Sequence, residues 1–165
     1  VCREAAVLQM TWPGAPTLYY GDETALCGWT DPDCRRTFPW GKENWEMIEF
    51  YRDLIHLHKQ FPALRKGSLV RLAAGYQLVA YGRFLGEERL VVVIHNGEKP
   101  REVELQVSLL GGRGKQVLVR QMETWEEGYN VGEVRVEAPG GFARFTMRPA
   151  SAAIFLVRQE EEKHV

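Results

Sequence analysis

Residues 67–157 consist of short apolar segments separated by glycine-rich turns, a pattern that limits this part of the chain to a β fold. The clearest segment is 102–109, where Val103, Leu105, Val107 and Leu109 alternate with polar residues. Since successive side chains of a strand point to opposite faces, this alternation predicts a strand with one buried face and one wet face. Seven further strands are predicted at Leu69 to Leu72, Leu78 to Phe84, Leu90 to Ile94, Gln116 to Arg120, Glu133 to Glu137, Ala143 to Met147 and Ala153 to Val157. Eight short strands at this spacing are typical of a sandwich or a barrel.

The first 66 residues follow a different pattern, in which helix and strand alternate. Arg3 to Thr11 is predicted as a helix, and Pro16 to Gly21 as a short strand buried on both faces. Asn44 is predicted to cap a second helix that Pro62 and Gly67 end. The buried stripe of that helix is predicted to be Ile48, Tyr51, Leu54, Ile55 and His58.

This change of pattern near Arg65 to Gly67 divides the chain into three parts. Residues 1–66 form an α/β part, residues 67–158 form the β domain, and residues 159–165 form a charged, solvated tail.

Composition excludes several classes of partner. Lys and Arg number 21 against 22 Asp and Glu, so no uniform field attracts nucleic acid or an anionic membrane. Apolar runs such as Leu90 to Ile94 are too short to span a bilayer. The first residues lack a basic region followed by an apolar stretch, so no signal peptide is expected.

Three cysteines, an odd number, favour reduced thiols and a cytoplasmic protein, although a disulfide or half a metal site at Cys27 and Cys34 is the alternative. No metal or cofactor is predicted.

Two motif-like runs do not qualify as functional sites. Gly111 to Lys115 resembles a phosphate-binding loop, but Gln116 stands where a hydroxyl residue is needed and the flanks are strands. Asp22 and Glu23 are adjacent, whereas a retaining glycosidase needs two carboxyl groups about 5 Å apart on either side of one bond. Both carboxylates are predicted to be structural.

Asp31 and Arg35 form the candidate binding pair. They lie in residues 24–43, a connection long enough to suggest a functional loop. A carboxylate and a guanidinium four residues apart present an acceptor and a planar donor fork to vicinal sugar hydroxyls, and Trp29 and Trp40 offer stacking surfaces. The alternative is an ordinary surface ion pair.

Several phrases together resemble the alpha-amylase superfamily, at its cyclomaltodextrinase, neopullulanase and maltogenic amylase branch. They are Pro13 to Glu23, Asp31 to Arg36 with Phe38 to Trp40, Phe50 to Ile55 with Pro62 to Arg65, and Pro149 to Ala153 before the last strand. The resemblance implies a (β/α)8 barrel that hydrolyses α-glucosidic bonds with retention, followed by an antiparallel β-sandwich. It makes Pro16 to Gly21 the last barrel strand, and it assigns sugar contact to Asp31 and Arg35.

The family's catalytic carboxylates find no match in this sequence, including the aspartate of its Asn-His-Asp phrase. The resemblance therefore implies the C-terminal part of a hydrolase of α-glucans or cyclomaltodextrins. This part is mainly β, with no catalytic residue of its own and an oligosaccharide as its partner. The alternative is a non-catalytic carbohydrate-binding or scaffolding relative. Because Pro16 to Gly21 lacks neighbouring strands, the chain is also expected to be prone to self-association.

Overall fold

The computed structural model describes residues 2–112 and 114–160, which contain three α-helices and nine β-strands. The helices are α1 (Cys2–Thr11), α2 (Trp45–Gln60) and α3 (Pro62–Lys66). The strands are β1 (Ser68–Gly75), β2 (Leu78–Leu85), β3 (Glu88–His95), β4 (Arg101–Gln106), β5 (Lys115–Thr124), β6 (Tyr129–Asn130), β7 (Arg135–Ala138), β8 (Phe142–Met147) and β9 (Ser151–Glu160). Among these residues, no helix combines the length and the apolar character needed to cross a membrane.

The strands form one large and one small sheet. The large sheet has the order β1-β2-β3-β9-β5-β6, with β7 also paired to β5, and the small sheet is the pair β4-β8. Every pairing is antiparallel. The prediction of a mainly β, antiparallel fold is confirmed.

The large sheet is buried on both faces, and alternate residues of its strands enter two separate cores. In β3, Leu90, Val92 and Ile94 pack with the helices, whereas Val91 and Val93 pack with the small sheet. This follows from the two-residue period of a strand. The molecule therefore has three layers, with helices, large sheet and small sheet in that order.

Asn44 caps α2 as predicted, because its Oδ1 accepts a hydrogen bond of 3.1 Å from the Met47 amide. The buried stripe differs from the predicted one: Ile48, Ile55 and His58 are only half-buried. The buried residues are Met47, Phe50, Tyr51, Leu54 and Leu57. Pro62 follows α2 and is the first residue of α3. Proline is suited to this position because a backbone N–H in the first turn of a helix would have no acceptor within the helix.

The predicted strand Pro16 to Gly21 does not form. Residues 15–19 have no regular structure, and Asp22–Thr24 form a short 3-10 turn. A strand needs a hydrogen-bonded neighbour, and the described residues pair no strand with this segment.

The strand predicted through Leu109 ends earlier, at Gln106. Val107–Leu110 form a 3-10 turn, which leaves Leu109 half exposed and buries Leu110. Gly82 permits this packing, since a Cβ there would lie 2.1 Å from Leu110 Cδ2. At the other end of the chain β9 extends to Glu160, and residues 161–165 of the predicted tail lie outside the described residues.

Candidate functional site

The loop of residues 24–43 begins at a tight turn. Gly21 has φ 95°, and a Cβ at this position would lie 2.8 Å from Leu26 Cδ2. The Leu26 amide donates to the Gly21 carbonyl at 2.9 Å. Glycine is required here because the left-handed conformation and the close approach both exclude a side chain.

Asp33 organises the middle of the loop. Its Oδ2 accepts a 2.9 Å hydrogen bond from the Trp29 amide, and its Oδ1 lies 2.7 Å from Arg36 Nη2. Gly28 packs on the backbone of Cys34, since a Cβ at residue 28 would lie 2.8 Å from the Cys34 Cα. These contacts fold residues 28–36 into a closed loop, so its side chains are presented from a fixed backbone.

Asp31 and Arg35 bind each other on the outside of this loop. Arg35 Nε lies 2.9 Å from Asp31 Oδ1, and Arg35 Nη2 donates to Asp31 Oδ2 at 3.1 Å. Their side chains remain 61% and 71% exposed, respectively. A guanidinium has five N–H donors, so pairing with one carboxylate leaves donors available to an external ligand.

Two indole rings accompany the pair. Trp29 is 81% exposed and Trp40 is 80% exposed. Trp40 packs only against Phe38 among the ring contacts of the described residues, at a centroid distance of 4.6 Å. Tyr20 ties the loop to the preceding segment because its hydroxyl donates to the Arg36 carbonyl at 2.9 Å. Both indole rings therefore present flat apolar faces to the solvent.

Asp22 and Glu23 have local structural roles. Asp22 Oδ2 accepts from the Tyr19 amide at 3.1 Å, and Glu23 Oε2 accepts from the Gly21 amide at 2.9 Å. Both charges act on Tyr51, whose pKa is raised to about 12, first by burial and then by the nearby negative charge. The arrangement is that of a turn with two capped amides.

The described residues offer no metal centre. No group of three His, Cys, Asp or Glu side chains within residues 2–112 and 114–160 is arranged to hold a metal ion. Cys2, Cys27 and Cys34 are exposed and carry free thiols.

Comparison with characterised proteins gives sequence relatives of one kind. No protein-family profile matches the chain. The chain is 38% identical over 115 residues to neopullulanase 2 of Thermoactinomyces vulgaris, a match that covers 67% of this chain and 20% of that protein. It is 34% identical over 109 residues to a cyclomaltodextrinase of Geobacillus thermopakistaniensis, covering 64% and 18%.

Solved structures agree with these relatives. A debranching enzyme from Nostoc punctiforme superposes with a TM-score of 0.72 at 30% identity, over 93% of this chain and 30% of that one. The alpha-amylase of Geobacillus thermoleovorans, solved with acarbose, superposes with a TM-score of 0.81 over 97% of this chain and 33% of that one, and at 22% identity it supports the fold alone.

The chain belongs to the alpha-amylase superfamily. The predicted resemblance, made from the phrases around Gly21, Arg35 and Pro62, is thereby confirmed. This alpha-amylase superfamily chain spans about a third of the solved relatives and a fifth or less of the curated ones.

The structure brings together the two residues predicted for the site, but it also shows what the sequence did not reveal. Asp31 and Arg35 form one bidentate ion pair, which is the geometry of the predicted alternative, and sugar contact by the pair stays a prediction. Their spacing of four residues was the available signal, because the Asp33–Arg35 3-10 turn brings such residues to the same side. The sequence also gave no prominence to Tyr76, which is 83% exposed.

Proposed function

We propose that this chain is the non-catalytic C-terminal part of an alpha-amylase-type glycoside hydrolase that acts on α-glucans or cyclomaltodextrins. Residues 24–43 form one rim of its substrate site, and the antiparallel sheets of residues 67–158 support the barrel end formed by residues 1–66. The observation that carries this proposal is the loop itself, which holds both a bidentate Asp31–Arg35 pair and two indoles that are about four-fifths exposed.

The loop has the two kinds of group that bind a sugar. A pyranose ring has an apolar face, which the flat surfaces of Trp29 and Trp40 accommodate, and an equatorial ring of hydroxyls. The Asp31 carboxylate accepts from a hydroxyl and the free N–H groups of Arg35 donate to one. Because Asp31 and Arg35 already hold each other in place, little side-chain entropy is lost when a sugar binds.

The names of the relatives favour an α-glucan as the ligand. They include neopullulanase, cyclomaltodextrinase, amylopullulanase and maltogenic alpha-amylase. The proposed role is substrate contact without bond cleavage, because Asp22 and Glu23 are engaged by backbone amides and Asp31 by Arg35. A retaining mechanism needs a free nucleophile and a separate acid.

The test is a titration of the 165-residue chain with maltohexaose, followed through the indole N–H signals of Trp29 and Trp40 in ¹H–¹⁵N spectra. Both signals are expected to shift on binding. Asp31→Ala and Arg35→Ala are each expected to weaken binding by roughly 5- to 150-fold, because each removal costs about 1 to 3 kcal/mol in lost and unpaired hydrogen bonds.

Arg52→Ala is the matched control. Arg52 forms an exposed ion pair with Glu49 on α2, so its removal changes net charge as Arg35→Ala does without touching the loop. The control is expected to bind like the unmodified chain. Indole signals that do not move with maltohexaose, or equal affinities for all variants, would reduce Asp31 and Arg35 to a surface ion pair.

A further inference from the structure

Tyr76 has the most exposed large apolar side chain of the described residues, at 83%. With Gln77 it forms the two-residue turn between β1 and β2, where Gly75 pairs with Leu78. A side chain at such a tip buries little area on folding, so core packing does not account for an aromatic residue there.

The backbone of this turn is held rigidly. The Gln77 carbonyl accepts from the Asn96 amide at 2.9 Å and lies 3.1 Å from His95 Nδ1. Arg101 Nη1 donates to the Tyr76 carbonyl. Gln77 is thereby fixed at φ 57°, a conformation that non-glycine residues seldom adopt. The Tyr76 ring is thus carried on a preorganised support.

A polar cavity of 470 Å³ opens between this turn and residues 95–101. His95, only 3% exposed, forms part of its wall and also lies 2.8 Å from the Lys99 carbonyl through Nε2, which ties the two loops together. Glu98, Lys99 and Arg101 line the cavity. Within the described residues neither Glu98 nor Lys99 forms an ion pair.

We propose that this cavity is a second carbohydrate-binding site, separate from the loop of residues 24–43. Tyr76 stacks on one pyranose ring, while Glu98 accepts from sugar hydroxyls and Lys99 and Arg101 donate to them. A mixed set of acceptor and donor groups suits a neutral polyhydroxyl ligand. The identity of the sugar as an α-glucan rests on the function proposed above, but the site itself does not.

The experiment is a maltohexaose titration of the full 165-residue chain, followed through the backbone amide signals of residues 75–78, 96–99 and 101. These signals are expected to shift with their own saturation curve. Tyr76→Ala is expected to weaken that curve about 5- to 10-fold, the effect of losing one stacked ring. The Trp29 indole signal reports binding at the loop of residues 24–43 in the same spectra. Binding at each of the two proposed sites is therefore tested independently of the other.

Phe142→Ala is the control, because Phe142 is a 40%-exposed aromatic residue that does not line the cavity. It is expected to leave both curves unchanged. The proposal is overturned if residues 75–78, 96–99 and 101 do not respond to maltohexaose, or if Tyr76→Ala responds like the unmodified chain. A response to sodium phosphate without one to maltohexaose would assign the cavity to an anion and also overturn it.

Discussion

Three polar side chains, Thr11, Tyr81 and Arg83, are buried together where α1 ends against β2. The Thr11 hydroxyl donates to the Val7 carbonyl and lies 2.6 Å from the Tyr81 hydroxyl, so the Tyr81 phenol is the donor in that contact. Arg83 donates to the carbonyls of Thr11 and Gly67. Burial lowers the pKa of Arg83 and raises the pKa of Tyr81 to about 12. The cluster joins the end of α1 to the start of the β region.

This cluster makes stability depend on alkaline pH. Since the pKa of Tyr81 rises from 10.0 to about 12 on folding, the folded chain favours the protonated phenol. That contribution, about 3 kcal/mol, is complete below pH 10 and disappears as the pH rises toward 12.

Tyr81→Phe tests this dependence. Below pH 10 the variant is expected to be about 1 kcal/mol less stable because it loses the Thr11 hydrogen bond. Above that pH the difference is expected to shrink and reverse, because phenylalanine cannot ionise in the unfolded chain. Urea unfolding at a series of pH values measures this, and Tyr19→Phe, at an exposed position, serves as control. Parallel stability curves would contradict the assignment.

At the scale of elements, the fit between β2 and the turn after β4 depends on one glycine. Leu110 is 5% exposed and occupies the space where a side chain at residue 82 would stand. The strand itself tolerates a Cβ, since β2 residues are otherwise extended, so the restriction comes from packing. The small sheet packs on the large one through this contact and through the core that contains Val91 and Val93.

Gly82→Ala is expected to destabilise the chain by about 1 to 3 kcal/mol, because Leu110 must leave its position. Gly75→Ala in β1 is the matched control, since a Cβ there would lie 3.6 Å from Arg101 Nη2, an ordinary contact. Its effect is expected to stay within about 0.5 kcal/mol. Equal losses in the two variants, measured by urea unfolding, would show that backbone propensity rather than packing controls residue 82.

Local patterns in the sequence predicted these elements well where interactions between residues close in the chain determine the structure. Alternation located the strands, and a side-chain cap located the start of α2 at Asn44. These local patterns failed where contacts between distant parts of the chain determine the structure. Leu109 continued the alternation, but the chain turns at Val107, and Pro16 to Gly21 has strand composition without a pairing partner. The pairing of Asp31 with Arg35, by contrast, agrees with the ion-pair alternative that their spacing of four residues suggested.

At the scale of the whole molecule, an apolar surface lies open beside α1. A groove of 630 Å³ runs along α1 and residues 12–17, with Leu8 and Trp12 partly exposed in it. The uncovered groove and the unpaired segment after it support the expectation of self-association, which stays a prediction. In the proposed function this face meets the remainder of the enzyme, and the loop of residues 24–43 faces the substrate.

Saturation-transfer difference NMR on the purified chain with maltohexaose tests sugar contact and sugar cleavage together, because one sample reports both. If the chain contacts the sugar without cleaving it, as proposed, saturation is transferred to the sugar protons while the reducing-end anomeric signals stay constant, because the proposed role supplies neither a free nucleophile nor a separate acid. Reducing-end signals that grow above a protein-free sample, survive repurification and disappear in Asp31→Asn would contradict it. So would the absence of any saturation transfer.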